Sequence, residues 1–165
     1  MHWLQILEIV LLVIFLIGGW ASVLLRVPPV PSRAIDLADA FGLAGIRPGE
    51  RVFDLGAGEG RVLKQARDKY GARVSGWELN PVVWVLAKWQ LGIASDMRLA
   101  NLWTAPISEA DVVFTFLMRD LMGKVEQEIW SKMKPGARLV SNSFVLPNVT
   151  PTATSGDVFL YQKPL

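Results

Sequence analysis

The sequence has no cysteine and a single histidine, His2. Without cysteine there are no disulfides, thiolate metal ligands or thiol nucleophiles. With the only histidine at the second position, imidazole general-base chemistry and a histidine-based metal site have nothing to build on. An excess of one charge is also missing: 17 basic residues against 15 acidic leave a formal +2. That balance is too small to argue for a nucleic-acid partner, and the basic residues are scattered rather than clustered. No fold-level repeat is visible. What remains is a chain of 165 residues, 52% hydrophobic, long and apolar enough for one domain with a sizeable core.

Charge is absent altogether from Ile9 to Leu25, and the apolar run reaches back to Trp3 with Glu8 its one interruption. As a helix, Trp3 to Leu25 is about 34 Å long, enough to cross a ~30 Å hydrocarbon core. Trp3 and Trp20 stand where interfacial aromatics are expected. Arg26 and Arg33 flank only the C-terminal side, a bias that predicts a cytoplasmic domain. A cleaved signal peptide would have a positively charged start, and a buried core helix would be shorter. The expectation is therefore a transmembrane anchor over residues 1–25 that contacts the bilayer through residues 3–25. Residues 26–50 read as a linker broken by Pro28, Pro29 and Pro31, then a short amphipathic helix capped by Ser32 and running to about Ala44. Residues 51–165 form the main domain.

That domain opens on Arg51-Val52-Phe53-Asp54-Leu55-Gly56-Ala57-Gly58-Glu59-Gly60-Arg61. A strand stops at Asp54 and enters three alternate glycines. A helix from Gly60 to Tyr70 follows, with Gly71 as its stop. The next strand, from Arg73, ends on Glu78. Asn80-Pro81 then supplies an N-cap and a proline at the first helical position, for a helix reaching Leu91. A weaker strand, Met97 to Ala100, precedes Asn101. Asp111 to Leu117 is nearly all apolar, as a parallel strand covered on both faces should be. A helix over Arg119 to Met133, a turn at Lys134-Pro135-Gly136, and strands over Ala137 to Ser143 and Val158 to Gln162 complete the pattern. The alternation predicts an α/β, Rossmann-like sheet, mostly parallel with a short antiparallel C-terminal piece.

An NAD fingerprint would need glycine where Arg61 stands, and a Walker loop would need Gly-Lys-Ser/Thr. Asp-x-Gly-x-Gly-x-Gly with Glu78 at the end of the second strand instead resembles motif I of class I S-adenosylmethionine methyltransferases. The competing reading is a glycine-rich turn with no ligand.

A narrower resemblance is carried by Val27-Pro28-Pro29-Val30-Pro31-Ser32, Asp54 to Arg61, Trp77-Glu78-Leu79-Asn80-Pro81 and Lys134 to Ser141. Together these are similar to small protein-lysine methyltransferases, including mitochondrial enzymes acting on the adenine nucleotide translocase and the ATP synthase c-subunit, and an archaeal broad-specificity relative. The family usually has Ser at Ala57 and Asp at Glu59. The resemblance implies S-adenosylmethionine as cofactor, held by Asp54, Gly56, Gly58, Gly60, Glu78, Asn80 and Asn101. It also implies an acceptor channel over the carboxyl ends of the first and fourth strands. Phe116 and Asn142 are its candidate lining residues, with Leu117, Met118, Ser143 and Phe144 beside them. No general base is identified; an apolar channel delivers the lysine amine unprotonated by desolvating it. The implied partner is a protein with an accessible lysine, membrane proteins among the candidates. With no arginine-rich presequence, a bacterial inner membrane is the simpler location. A methyltransferase for a small or lipid-soluble acceptor, and a non-catalytic cofactor-binding module, are the alternatives.

Overall fold

A computed structural model describes residues 2–24 and 34–165. The expected proline linker at Pro28 to Ser32, with the Ser32 cap, lies outside the described residues. α1 (His2–Leu24) is one helix of 23 residues, and Trp3, Leu7, Leu12 and Leu16 along it are exposed. Among the described residues no helix is long and apolar enough to cross a membrane; the expected helix is present, but the crossing is not shown.

The main domain is organised by seven strands: β1 (Arg51–Leu55), β2 (Arg73–Glu78), β3 (Asp96–Leu99), β4 (Val112–Thr115), β5 (Arg138–Asn142), β6 (Ala153–Ser155) and β7 (Val158–Gln162). They form one sheet in the order β3-β2-β1-β4-β5-β7-β6. β1 to β5 are parallel, and β7 runs antiparallel to both β5 and β6. Strands build outward from β1 to β3, and the chain then returns to place β4 on the other side of β1. That reversal opens a crevice at the carboxyl ends of β1 and β4, where open α/β sheets bind ligands.

Helices cover both faces. α2 (Ala34–Ala44) and α3 (Arg61–Tyr70) lie on one face, where Leu37, Phe41 and Ala44 pack with Val62, Ala66, Val52, Phe114 and Val140. α4 (Pro81–Leu91) joins through Ala87 and Leu91, which meet Leu63 and Met97. On the other face Met122 and Val125 of α5 (Met122–Glu128), with Ile129, cover Phe53, Val113, Leu139 and Tyr161. All four residues of β4 are buried, as its apolar sequence requires.

Three expectations need correction. The single helix over Arg119 to Met133 is divided into a 3-10 turn (Arg119–Leu121), α5 and a second 3-10 turn (Trp130–Lys132). Neither Leu121 nor Ile129 offers a side-chain cap at these junctions, and Ile129 sits at φ −109°, ψ −66°. The freed backbone groups are met by tighter bonds such as Lys132 N to Ile129 O. The fourth strand stops at Thr115, leaving Phe116 and Leu117 outside it. The fifth strand stops at Asn142, because Ser143 turns to φ 69° and donates its N–H to Asp157 O.

Candidate active site

The glycine loop is stitched to β2 before any ligand is considered. Gly56 N and Ala57 N both donate to Trp77 O at 3.0 Å. Gly58 N donates to Glu78 Oε2 at 3.0 Å, and Asn80 N donates to Glu78 Oε1 at 2.8 Å. The buried Glu78 carboxylate is thus clasped from two sides, while each oxygen keeps a lone pair for a further donor such as a ribose hydroxyl. Gly58 has φ 55°, and a Cβ built on it would meet nothing within 4 Å. It therefore faces open space, and a side chain there would fill the cradle as well as strain the backbone. Gly60 is glycine for another reason. Its φ is 84°, and a Cβ would come within 2.7 Å of Leu91 Cδ1, so α3 and α4 approach each other across it.

Asp54 lies at the base of this loop, 2% exposed. Its Oδ1 is buried with no hydrogen-bond partner. Burial, and then the charge of Glu78, push its pKa up to about 7. A buried carboxyl with an unmet acceptor is costly, and a cationic ligand group would relieve that cost. S-adenosylmethionine carries an ammonium and a sulfonium beside a ribose diol. The unmet Asp54 oxygen, the open cradle at Gly58 and the Glu78 carboxylate fit it.

The remaining expected site residues are distributed around this centre. Asn80 lies beside Glu78, but its side-chain oxygen caps α4 by accepting from Val82 N and Val83 N; its backbone N–H is what orients the acid. Asn101 is brought next to Glu78 by the bond from Ala100 N to Glu78 O, and its Oδ1 accepts from Trp103 N at 3.2 Å. Phe116 is half-buried among the α2-side cluster, its ring 6.4 Å from that of Phe114. Leu117 reaches the glycine loop: its Cδ2 is 3.4 Å from where a Gly56 Cβ would stand. Met118 is exposed. Asn142 is buried at the end of β5, Ser143 Oγ donates to its Oδ1 at 3.4 Å, and the Arg119 guanidinium lies 5.3 Å from the Phe144 ring centroid.

Two supports escaped the sequence reading. Trp77 supplies the carbonyl that holds the loop. Gln90 Nε2 donates at 3.2 Å to Glu59 Oε2, and Glu59 also pairs with Arg61. Neither has a signal in local spacing, because the partners are about 20 to 30 residues apart and meet only in the fold. Among the described residues no group of histidine, cysteine, aspartate or glutamate could hold a metal ion.

A family model for the ANTKMT methyltransferase domain matches residues 54–153. The adenine nucleotide translocase lysine N-methyltransferase of Mus musculus is 31% identical over 138 residues, covering 81% of this chain and 60% of the mouse protein. A protein-lysine N-methyltransferase of Saccharolobus islandicus is 29% identical over 133 residues, covering 76% of this chain and 82% of the archaeal one. Among solved structures, an RNA methyltransferase from Salinibacter ruber in complex with S-adenosyl-L-homocysteine superposes with a TM-score of 0.76 at 27% identity, covering 82% of this chain and 94% of that one. The chain spans less than two thirds of the mouse relative's length. The matched segment contains the glycine loop, Glu78 and strands β2 to β5, so the chain belongs to the ANTKMT family of class I S-adenosylmethionine-dependent methyltransferases.

Proposed function

We propose that this protein methylates the ε-amine of lysine in a protein substrate, while tethered through residues 3–25 to a bacterial inner membrane with its domain in the cytoplasm. The observation that carries the catalytic part is the clasp of Gly58 N on Glu78 beside the unpartnered Asp54 oxygen. The lysine acceptor is supported by the two protein-lysine N-methyltransferases among the relatives. The tether is supported by the charge-free run Ile9 to Leu25 and the exposed apolar side chains of α1.

S-adenosylmethionine, when bound, supplies an electrophilic methyl group on a positively charged sulfur. Glu78, oriented by the Gly58 amide, would hold the ribose end, and Asp54 would balance positive charge at the other. Phe116, Leu117 and Met118 form an apolar approach that strips water from the lysine amine and lowers its proton affinity. Asn142 lies at the end of β5, the strand beside β4. Alignment and desolvation then account for the chemistry without a general base.

The test uses the full chain in lipid vesicles with bacterial inner-membrane proteins and methyl-labelled S-adenosylmethionine. Methyl-lysine on acid hydrolysis of the labelled protein is the expected result. Label recovered in a lipid extract points to the small-acceptor reading, and label recovered in RNA in a parallel reaction with total bacterial RNA would align the chain with the Salinibacter ruber neighbour. Either result overturns the lysine assignment. Absence of cofactor binding in calorimetry removes every enzymatic reading.

A further inference from the structure

α4 is apolar except for Lys88 and Gln90, yet only one side of it is buried. Ala87 and Leu91 face the domain. Val85 and Leu86, at helical spacing with Trp89, point the other way, at 56%, 47% and 83% exposure. Ile93, just past the helix end, extends the stripe and is 87% exposed. Lys88 is the only charged residue of α4, and it is drawn off this face. Its Nζ donates to Ile93 O and Ser95 O, both at 2.6 Å, and lies 5.9 Å from the Trp84 ring centroid. The same bonds fix the loop that presents Ile93.

A helix with this composition is covered on both sides in a stable assembly. α1 comes up against α4 but leaves Trp89 and Ile93 open, so it is not the cover. We propose that the Val85–Leu86–Trp89–Ile93 face of α4 docks into the interfacial region of a lipid bilayer. Three observations select lipid. The face carries no charge. Its most exposed helical residue is a tryptophan, whose indole favours the boundary between hydrocarbon and water. It is also continuous with α1, whose own apolar side chains are exposed. A helix lying in this plane buries its apolar side roughly 5–10 Å deep. Because α4 begins at Pro81, three residues after Glu78, docking fixes the height and tilt of the cofactor site above the membrane. Acceptor lysines are thereby restricted to those held close to the membrane surface.

The inference rests on the proposed tether to bring the domain to the membrane, and the test separates the two. The cysteine-free sequence allows single spin labels on the full chain in phosphatidylethanolamine–phosphatidylglycerol vesicles, at Val13→Cys, Trp89→Cys, Ile93→Cys and Ser131→Cys. Accessibility to oxygen, which partitions into lipid, is compared with accessibility to a water-soluble nickel chelate. Labels at positions 89 and 93 should show an oxygen-to-nickel ratio several-fold above that at the exposed Ser131 position. If both instead match position 131 while position 13 lies in hydrocarbon, the tether stands and the docking face is overturned. If position 13 is in water, the tether fails, and lipid exposure at 89 and 93 would still support docking. Shielding of both positions from both reagents would mean that protein covers the face, which also overturns the proposal.

Discussion

Asp54 is the residue on which binding and stability pull in opposite directions. Its carboxyl has an ordinary pKa of 3.8 and one of about 7 in the fold, through burial first and the Glu78 charge second. Between those values the folded chain holds a proton that the unfolded chain has released. Stability therefore falls as pH rises from about 4 to 7, by on the order of 4 kcal/mol for roughly three pH units. Asp54→Asn should flatten that slope, leaving the cofactor-free protein more stable than its parent at pH 8; parallel urea titrations at pH 5 and pH 8 read the difference directly. The same substitution removes the charge proposed to answer the cofactor's cationic groups. Affinity for S-adenosylmethionine in the parent should rise with pH through about 7, and the variant should bind weakly at every pH. Glu78→Ala frees the N–H groups of Gly58 and Asn80 together. Charge-assisted bonds of this kind contribute about 1.5–3 kcal/mol each, so calorimetry should record an affinity loss of about tenfold or more, and an unchanged value would remove the ribose role.

At the scale of elements, close approach decides how the loop is supported. β2 passes so near α3 and β3 that a Cβ on Gly76 would overlap Met97 Sδ and Leu63 Cδ1. Gly76→Ala should cost roughly 1–3 kcal/mol through overpacking, seen as a lower melting temperature in detergent. Cofactor affinity should fall too, because β2 carries Trp77 and Glu78. A second junction secures α2 at the opposite end of the sheet. Arg138 donates to Ala44 O at 2.6 Å and Gly45 O at 2.7 Å, and pairs with Glu50 at 2.6 Å. It satisfies the carbonyls at the end of α2 and is mostly buried. Arg138→Met leaves Glu50 without its cation, and a penalty of roughly 3 kcal/mol is expected. Denaturant unfolding would measure it, and a neutral outcome would show that α2 is held by its apolar face alone.

For the whole molecule, ligand binding is read out as stability of one cooperative body. Cofactor product at a hundred times its dissociation constant should stabilise the fold by about 2.7 kcal/mol, a rise of roughly 5–10 °C for a chain of this size. A thermal-shift measurement with S-adenosylhomocysteine tests this without any knowledge of the acceptor. The docking proposed for α4 would add a geometric restriction on that acceptor, since the helix starts three residues after Glu78.

Much of this was legible from residue order. The glycine spacing, the acid closing β2, the Asn80-Pro81 helix start and the Gly71 stop are local signals, set by backbone sterics and capping over a few residues. They were enough for the sheet class and for the cofactor. The helix after β4 was less legible, because its division depends on how Met122, Val125 and Ile129 settle on the sheet. Contacts across long sequence distance were not legible at all. The orphaned Asp54 oxygen, the Trp77 carbonyl beneath the loop and the Arg138 clamp exist only once distant strands are adjacent. Local chemistry determined which cofactor the chain is built for. Tertiary packing decided how its acid is charged, what holds the cradle, and which apolar face of α4 is left exposed, because burial and pairing are properties of neighbours in space.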